Sequence, residues 1–196
     1  MITIIYFWRI KRIYLPLAIL NMATNKLLLR MILGKSFIKM LGTGKGESFT
    51  PKDADSFRWG ILITTKESNI KKLETSFVIK LWHKISNKHY RAVLRPISSH
   101  GEWSGKTPFE SEKFEWNGKV AAITRARIVW LKNLQFWRAV PPVTESLHKS
   151  DGLISAIGIG EAPIGLQGTF SLWENSQALK QFAYQGQAHL QAIAAT

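Results

Sequence analysis

The stretch ITIIYFWRI, residues Ile2–Ile10, is almost entirely apolar and is rich in β-branched and aromatic residues. Such a run predicts a β-strand in the interior of a sheet, where neither face meets water. Residues 15–33 then change to a helical period. One face of this predicted helix carries Leu20, Ala23, Leu27 and Met31. The chain therefore begins with a buried strand followed by an amphipathic helix.

The rest of the first half continues this alternation. Strands are predicted at SFIKML (36–41), FRWGILITT (57–65) and HYRAVLRPI (89–97). A stripe of apolar residues between positions 70 and 85, spaced by three or four, predicts a helix before the last strand. The order strand, helix, strand, strand, helix, strand is that of a ferredoxin-like unit.

The same order restarts after a polar segment, residues 99–118. Strands are predicted at 119–131, 153–160 and 166–173, and helices at 133–150 and 174–194. We expect Pro141 and Pro142 to interrupt the first of these helices, because proline removes a backbone donor. No segment corresponds to the last strand of the first half, so the second sheet is expected to be incomplete.

Residue-level similarity supports a duplication. Offsets of 118, 116 and 108 residues align the first, second and third strands of the two halves. The recurring positions are Gly42 and Gly158, Gly44 and Gly160, and Gly60 and Gly168. We therefore predict an α+β fold of tandem ferredoxin-like (βαββαβ) repeats, with a first unit at 1–98, a connecting segment at 99–118 and a second unit at 119–196.

The net charge of +14 is concentrated in the first half. Residues 1–98 hold 18 of the 27 basic residues and 5 of the 13 acidic ones. Such a surface suits nucleic acid, an anionic membrane face or plain solvent. A membrane surface is favoured by the basic residues around the first helix, and no nucleic-acid-binding motif is present. Those residues are Lys26, Arg30, Lys35 and Lys39.

The absence of cysteine excludes disulfides, Cys-ligated iron–sulfur clusters and Cys nucleophiles. The longest N-terminal apolar run, YLPLAIL (14–20), is far shorter than the roughly 20 residues of a transmembrane helix. The opening also lacks the order of a signal peptide, since its basic residues follow the apolar stretch. We therefore expect a cytoplasmic protein, with peripheral contact at the inner face of the membrane.

Five features are candidates for chemistry. The glycines of GTGKGES (42–48) lack the spacing of a phosphate-binding loop, so a backbone turn explains them better. His189 lies on the apolar face of the last predicted helix, where it suits either a haem iron or a core hydrogen bond. Arg95 suits a carboxylate, and Trp103 suits a pocket wall or a linker anchor. Arg125, on a predicted strand, needs an anionic partner if it is buried.

Six blocks of the sequence occur in the order of the spheroidene monooxygenase (acyclic carotenoid ketolase) family. They are KMLGTGKGESFTP, LRPISSHGEWSGKTPF, AAITRARI, FWRAVP, SAIGIGEAP and TFSLWENSQALKQFAYQGQAH. The chain resembles this family from about residue 36 to 190, although members normally continue further, so a C-terminally truncated form is expected. The resemblance implies a haem protein of the dimeric α/β-barrel type. Such a protein oxidises an acyclic carotenoid to a ketone with O₂ and electrons from reduced ferredoxin.

The same resemblance assigns provisional roles. It makes His189 the candidate proximal ligand of the haem iron, and Arg95, Trp103 and Arg125 the candidate catalytic or pocket residues. Two other functions remain open on the sequence alone. One is a non-catalytic protein of the same fold that binds haem or a small apolar ligand. The other is a basic nucleic-acid-binding domain.

Overall fold

The computed structural model describes residues 1–112, 114–127, 133–161 and 166–185. The fold is mixed α/β, as the sequence predicts. Within the described ranges, seven strands and five α-helices follow one another as β1 (Ile2–Ile10), α1 (Leu15–Leu33), β2 (Phe37–Gly44), β3 (Ala54–Thr65), α2 (Ile70–Glu74), α3 (Phe77–Ile85), β4 (Ser86–Leu94), β5 (Val120–Arg127), α4 (Asn133–His148), β6 (Leu153–Gly160), β7 (Leu166–Trp173) and α5 (Ser176–Gln185). The bounds of β1, α1, β6 and β7 are those that composition and periodicity indicate.

The described residues form two compact units. Unit 1 contains Met1–Leu41 and Ser56–Phe114, and unit 2 contains Gly42–Asp55 and the described residues from Glu115 onward. In unit 1 the strand order is β4-β1-β3-β2. In unit 2 the order is β6-β7-β5, and the end of β2 lies beside β6.

β1 is a central strand of unit 1. It pairs antiparallel with β3 along one edge and with β4 along the other. Every residue of β1 except Arg9 is buried. Tyr6 and Trp8 belong to a core cluster that also contains Leu29 of α1 and Trp82 of α3. Two helices are therefore held against one face of the strand.

α1 turns an apolar face to solvent. Leu20, Leu27 and Met31 are 57%, 64% and 75% exposed. The face that packs on the core carries Asn21 and Asn25, both buried, among small and aliphatic side chains. A helical period identifies an apolar face but not the surface that covers it. No helix in the described part of the chain is both long and apolar enough to cross a bilayer.

The helical stripe at residues 70–85 is divided between α2 and α3. α2 ends at Glu74, and Ser76 begins α3 by accepting a hydrogen bond from the Ile79 backbone N–H at 3.3 Å. Phe77, which the stripe assigns to the buried face, is 70% exposed. The prediction of one continuous helix is wrong, because a serine that caps the backbone through its side chain starts a new helix at this point.

β7 is a central strand of unit 2. It pairs antiparallel with β5 and with β6. Gly42 and Thr43 at the end of β2 pair with Gly160 and Ile159 of β6. The buried core of this unit contains Val120, Leu147, Trp173 and Ala178. Unit 2 therefore has a smaller described core than unit 1, built around one fully buried tryptophan.

α4 continues through Pro141 and Pro142. The prediction that these prolines interrupt the helix is wrong. Proline fixes φ near −65°, which is a helical value, so the backbone can continue with the loss of hydrogen bonds to the preceding turn. The Thr144 hydroxyl donates to the Val140 carbonyl at 3.0 Å in the turn that follows.

Three expectations about the fold lie outside the described residues. The predicted extension of the fifth strand past Arg127 falls on residues 128–131, and the predicted extension of the last helix falls on residues 186–194. The absence of a final strand from the second sheet likewise concerns the chain beyond α5. These expectations stay predictions.

Replacing Gly168 by alanine should destabilise the fold. Gly168 lies opposite Arg125 in the β5–β7 ladder, and a Cβ there would lie 2.4 Å from the Thr124 carbonyl oxygen. The backbone must shift to relieve this contact, so we expect a loss of about 1–3 kcal/mol in the free energy of unfolding, measured by urea denaturation. Gly42→Ala is the control, since its Cβ would meet its nearest neighbour at 3.7 Å. Equal stability of the two variants would contradict the prediction.

Candidate functional site

The GTGKGES loop uses its backbone amides to hold a carboxylate of its own chain. Asp53 is buried, and its Oδ2 accepts hydrogen bonds from the backbone N–H groups of Gly46, Glu47 and Phe49 at 2.9, 3.1 and 3.3 Å. Gly46 has φ +92°, a conformation that favours glycine. The amides that would cradle a phosphate are therefore engaged by Asp53, in agreement with the interpretation of the loop as a turn.

Trp103 is buried in unit 1 and packs against two phenylalanines. Its ring centroid lies 5.5 Å from that of Phe37 and 6.1 Å from that of Phe109, both in edge-to-face arrangements. Such geometry places the positive edge of one ring against the negative face of another. The segment that carries Trp103 is thus anchored on β2, as the linker interpretation requires.

Lys39 lies inside this aromatic cluster. Its side chain is 5% exposed, and Nζ lies 5.4 Å from the Phe37 ring centroid and 5.7 Å from that of Trp103. Nζ also donates to Ser104 Oγ at 2.6 Å. The expectation that Lys39 contributes to a basic surface is wrong. Its ammonium group is enclosed by aromatic faces and a hydroxyl, which replace part of its hydration.

Arg95 lies at the rim of a shallow cavity of about 180 Å³ in unit 1. Its side chain is 66% exposed, and its guanidinium lies 3.6 Å from a carboxylate oxygen of Glu67. Glu110 and Glu112 also line the cavity. Because sites that enclose small molecules usually measure roughly 300–1,000 Å³, this cavity is too small to enclose a carotenoid or a haem.

Arg125 of β5 is paired within unit 2. Its Nη2 lies 3.1 Å from Oε1 of Glu161, and both side chains are at least four-fifths buried. Burial lowers the pKa of Arg125, and Glu161 opposes that shift. The anionic partner that a buried Arg125 needs is therefore supplied by the protein itself.

A cluster of rings in unit 1 was not identified from the sequence. Trp8 stacks between Tyr6 and Trp82, at centroid distances of 4.9 and 5.3 Å. Trp8 Nε1 donates to His83 Nδ1 at 3.3 Å, and the His83 ring lies 4.4 Å from that of His89. Burial, followed by the charge of His89, lowers the pKa of His83. No signal in the sequence joins Trp8 to a histidine 75 positions later.

The described residues do not by themselves form a haem site. His189, the candidate axial ligand, lies outside them. Trp103 and Arg95 have different partners within unit 1, and Arg125 belongs to unit 2. In the described ranges, no group of three or more His, Asp or Glu side chains is placed to hold a metal ion. No chemical step through haem follows from this geometry, and the four site assignments stay predictions.

Two curated proteins align with most of the chain. The spheroidene monooxygenase of Cereibacter sphaeroides is 33% identical over 179 residues, which are 89% of this chain and 55% of that protein. The spheroidene monooxygenase of Rhodobacter capsulatus is 33% identical over 165 residues, which are 81% of this chain and 68% of that protein. The chain belongs to the spheroidene monooxygenase family. It spans about half the length of the Cereibacter relative.

A solved structure shares the fold of this chain. Aldoxime dehydratase in complex with butyraldoxime superposes with a TM-score of 0.55 and 9% identity, covering 98% of this chain and 74% of that one. This likeness concerns the fold alone. No protein-family model matches the chain.

Asp53→Ala should destabilise the fold, because the carboxylate of Asp53 holds the backbone of residues 46–49. Removing the carboxylate leaves three backbone N–H groups without their acceptor, and each buried unsatisfied donor costs about 1–3 kcal/mol. Partial access of water to the loop should hold the total loss to about 2–4 kcal/mol, measured by urea denaturation. Asp151→Ala, at an exposed position, is the control. A loss no greater than that of the control would refute the role given to Asp53.

Acidification from pH 7 to pH 5 should destabilise the protein through His83. In the fold, Nδ1 of His83 accepts from Trp8 and burial lowers its pKa, so the unfolded chain takes up a proton at a pH where the folded chain does not. Stability is therefore full above the ordinary pKa near 6.5 and is lost as the pH falls toward the lowered value. His83→Gln should flatten the dependence of the melting temperature on pH, whereas His100→Gln, at an exposed position, should not. An unchanged profile in His83→Gln would count against this explanation.

Proposed function

We propose that this chain is the core of a haem-dependent monooxygenase that oxidises an acyclic, spheroidene-like carotenoid to a ketocarotenoid. The observation that carries the proposal is the 33% identity to two spheroidene monooxygenases over most of the chain. O₂ supplies the oxygen. Each insertion of one oxygen atom reduces the other to water and so consumes an electron pair, for which reduced ferredoxin is the proposed donor.

The proposed architecture is a tandem ferredoxin-like repeat of the dimeric α/β-barrel type, with units at 1–98 and 119–196. Strand register supports the duplication. The offset of 118 residues carries Phe7 onto Arg125, and the offset of 108 carries Gly60 onto Gly168. Phe7 lies directly opposite Gly60 in one ladder, and Arg125 lies directly opposite Gly168 in the other. If the two halves were similar only by chance, the aligned positions would not be expected to lie opposite each other in both ladders.

The two glycines have the same steric relation to their neighbours. A Cβ on Gly60 would lie 2.8 Å from the Phe7 ring, and a Cβ on Gly168 would lie 3.3 Å from Cγ of Arg125. In each half, a large side chain of the first strand thus lies across a glycine of the third. This recurrence supports a common origin of the two ladders.

The proposed site uses His189 as the haem ligand and Arg95, Trp103 and Arg125 as residues of the pocket. Haem would supply the oxygen chemistry, and the protein would supply axial ligation, alignment of the substrate and exclusion of water. A long apolar carotenoid resides in membranes, so the proposal includes a cytoplasmic protein in peripheral contact with the inner membrane face. The basic first half of the chain supports this contact.

Production of the chain in a bacterium that accumulates spheroidene but cannot oxidise it should yield a ketocarotenoid. The product is recognised in pigment extracts by a mass that reflects one oxygen in place of two hydrogens. His189→Ala should abolish the product, and it should also abolish the Soret band that we expect when the purified chain is titrated with haem. His148→Ala, at an exposed position, is the matched control and should change neither readout.

Three outcomes would contradict the proposal. A Soret band without ketocarotenoid would favour a haem-binding protein without this activity. Normal haem binding by His189→Ala would remove the ligand assignment. Tight binding of oligonucleotides with a steep dependence on salt, together with no haem binding, would favour a nucleic-acid-binding domain.

A further inference from the structure

α1 is apolar on its outward side as well as on the side that packs on the core. The inward face contains the buried Ala18, Leu29 and Leu33 together with Asn21 and Asn25, whose Nδ2 atoms have no hydrogen-bond partner among the described residues. The outward face contains Leu20, Leu27 and Met31, all more than half exposed. A surface helix of a protein in water normally presents polar side chains on its outward face. The outward side chains therefore suit an apolar surface other than the core of unit 1.

These three outward residues form a continuous line, which we call the α1 ridge. Leu27 lies seven residues after Leu20, and Met31 lies four residues after Leu27, so a period of 3.6 keeps all three on one side of the helix. At 1.5 Å per residue the ridge is about 16 Å long. Ile19 and Leu28, on its two sides, are also exposed, so the apolar surface is wider than a single row.

The chain around the ridge is purely basic. Residues 1–46 contain eight Lys and Arg residues and no Asp or Glu. Lys11, Arg12, Arg30 and Lys35 have exposed side chains at or near the two ends of α1. An apolar strip whose adjoining sequence supplies cations and no acidic residue complements a surface that is apolar inside and anionic outside.

We propose that the α1 ridge inserts into the headgroup region of an anionic lipid bilayer, with α1 parallel to the membrane plane. This assignment rests on the membrane contact of the proposed function and names the helix that makes it. Leu20, Leu27 and Met31 enter the boundary between headgroups and acyl chains, and the flanking cations pair with lipid phosphates. The chain thereby lies at the surface of the phase in which a long apolar substrate is dissolved.

Two other occupants fit the ridge less well. A second copy of the chain would place two basic α1 helices side by side, and like charges would repel across the contact. Nucleic acid would satisfy the cations but not the aliphatic side chains between them, which offer neither stacking nor hydrogen bonds to bases. An anionic bilayer satisfies both.

Sedimentation with lipid vesicles tests the assignment. The purified chain should bind vesicles of phosphatidylcholine with phosphatidylglycerol, bind pure phosphatidylcholine more weakly, and lose binding as salt is added. Leu27→Gln with Met31→Gln should weaken binding by roughly ten-fold or more, because two apolar side chains no longer leave water. Phe77→Gln is the matched control, since Phe77 is a comparably exposed apolar residue on α3.

A second pair of variants tests the charges. Arg30→Gln with Lys35→Gln should weaken binding to anionic vesicles but not to neutral ones. Lys71→Gln with Lys72→Gln removes the same charge from exposed positions of α2 and should have a smaller effect. All of these substitutions lie at exposed positions, so unchanged melting temperatures should accompany them.

Three results would overturn the assignment. They are equal vesicle binding by the ridge variants and the Phe77 control, no binding to anionic vesicles at all, and dissociation of a dimer by the ridge variants in analytical ultracentrifugation. Vesicle binding needs neither haem nor turnover, so it is measured independently of the proposed function. Ridge variants should still oxidise a carotenoid presented in detergent micelles, which separates a failure of docking from a failure of catalysis.

Discussion

Pairing of β1 on both edges is the constraint on which unit 1 depends. A strand between β3 and β4 has its backbone groups satisfied on both edges, and in this fold both of its faces are also covered, which requires apolar side chains along nearly its whole length. The nearly uninterrupted apolar run meets this demand. Trp8 also fixes the position of α3 against the strand, because it stacks on Trp82 and donates to His83 of that helix. A polar residue in place of Ile4 would therefore disturb the core on which α1 and α3 pack.

Much of the secondary structure follows from local patterns, and the misplaced features have non-local causes. Composition alone bounds β1, whose residues are all buried except Arg9, and a helical period alone bounds α1. Periodicity could not tell that the apolar face of α1 points outward, since that depends on what covers it. Ser76 divided a stripe that looks continuous because its side chain caps a backbone amide. Pro141 and Pro142 stayed within α4 because their fixed φ is already helical.

The candidate site was less predictable than the fold. The sequence identified Trp103 as a pocket wall or a linker anchor and Arg125 as a residue that needs an anionic partner if it is buried, but it could not name the residues that contact them. Lys39 and Ser104, which meet in the structure, are 65 positions apart, and Glu161 is 36 positions from Arg125. Contacts of this kind depend on topology, which no local pattern encodes. Family membership could be inferred from the sequence alone, because it rests on short motifs that occur in a fixed order and need no knowledge of the fold.

The enclosure of Lys39 has a consequence for the chemistry of the chain's surface. Most lysines of the first half are open to reagents that acylate free amines, whereas the ammonium group of Lys39 is covered by Phe37 and Trp103 and held by Ser104. Its acylation requires that the segment bearing Trp103 first detach from β2. The extent of labelling at this one amine therefore reports how often that segment opens.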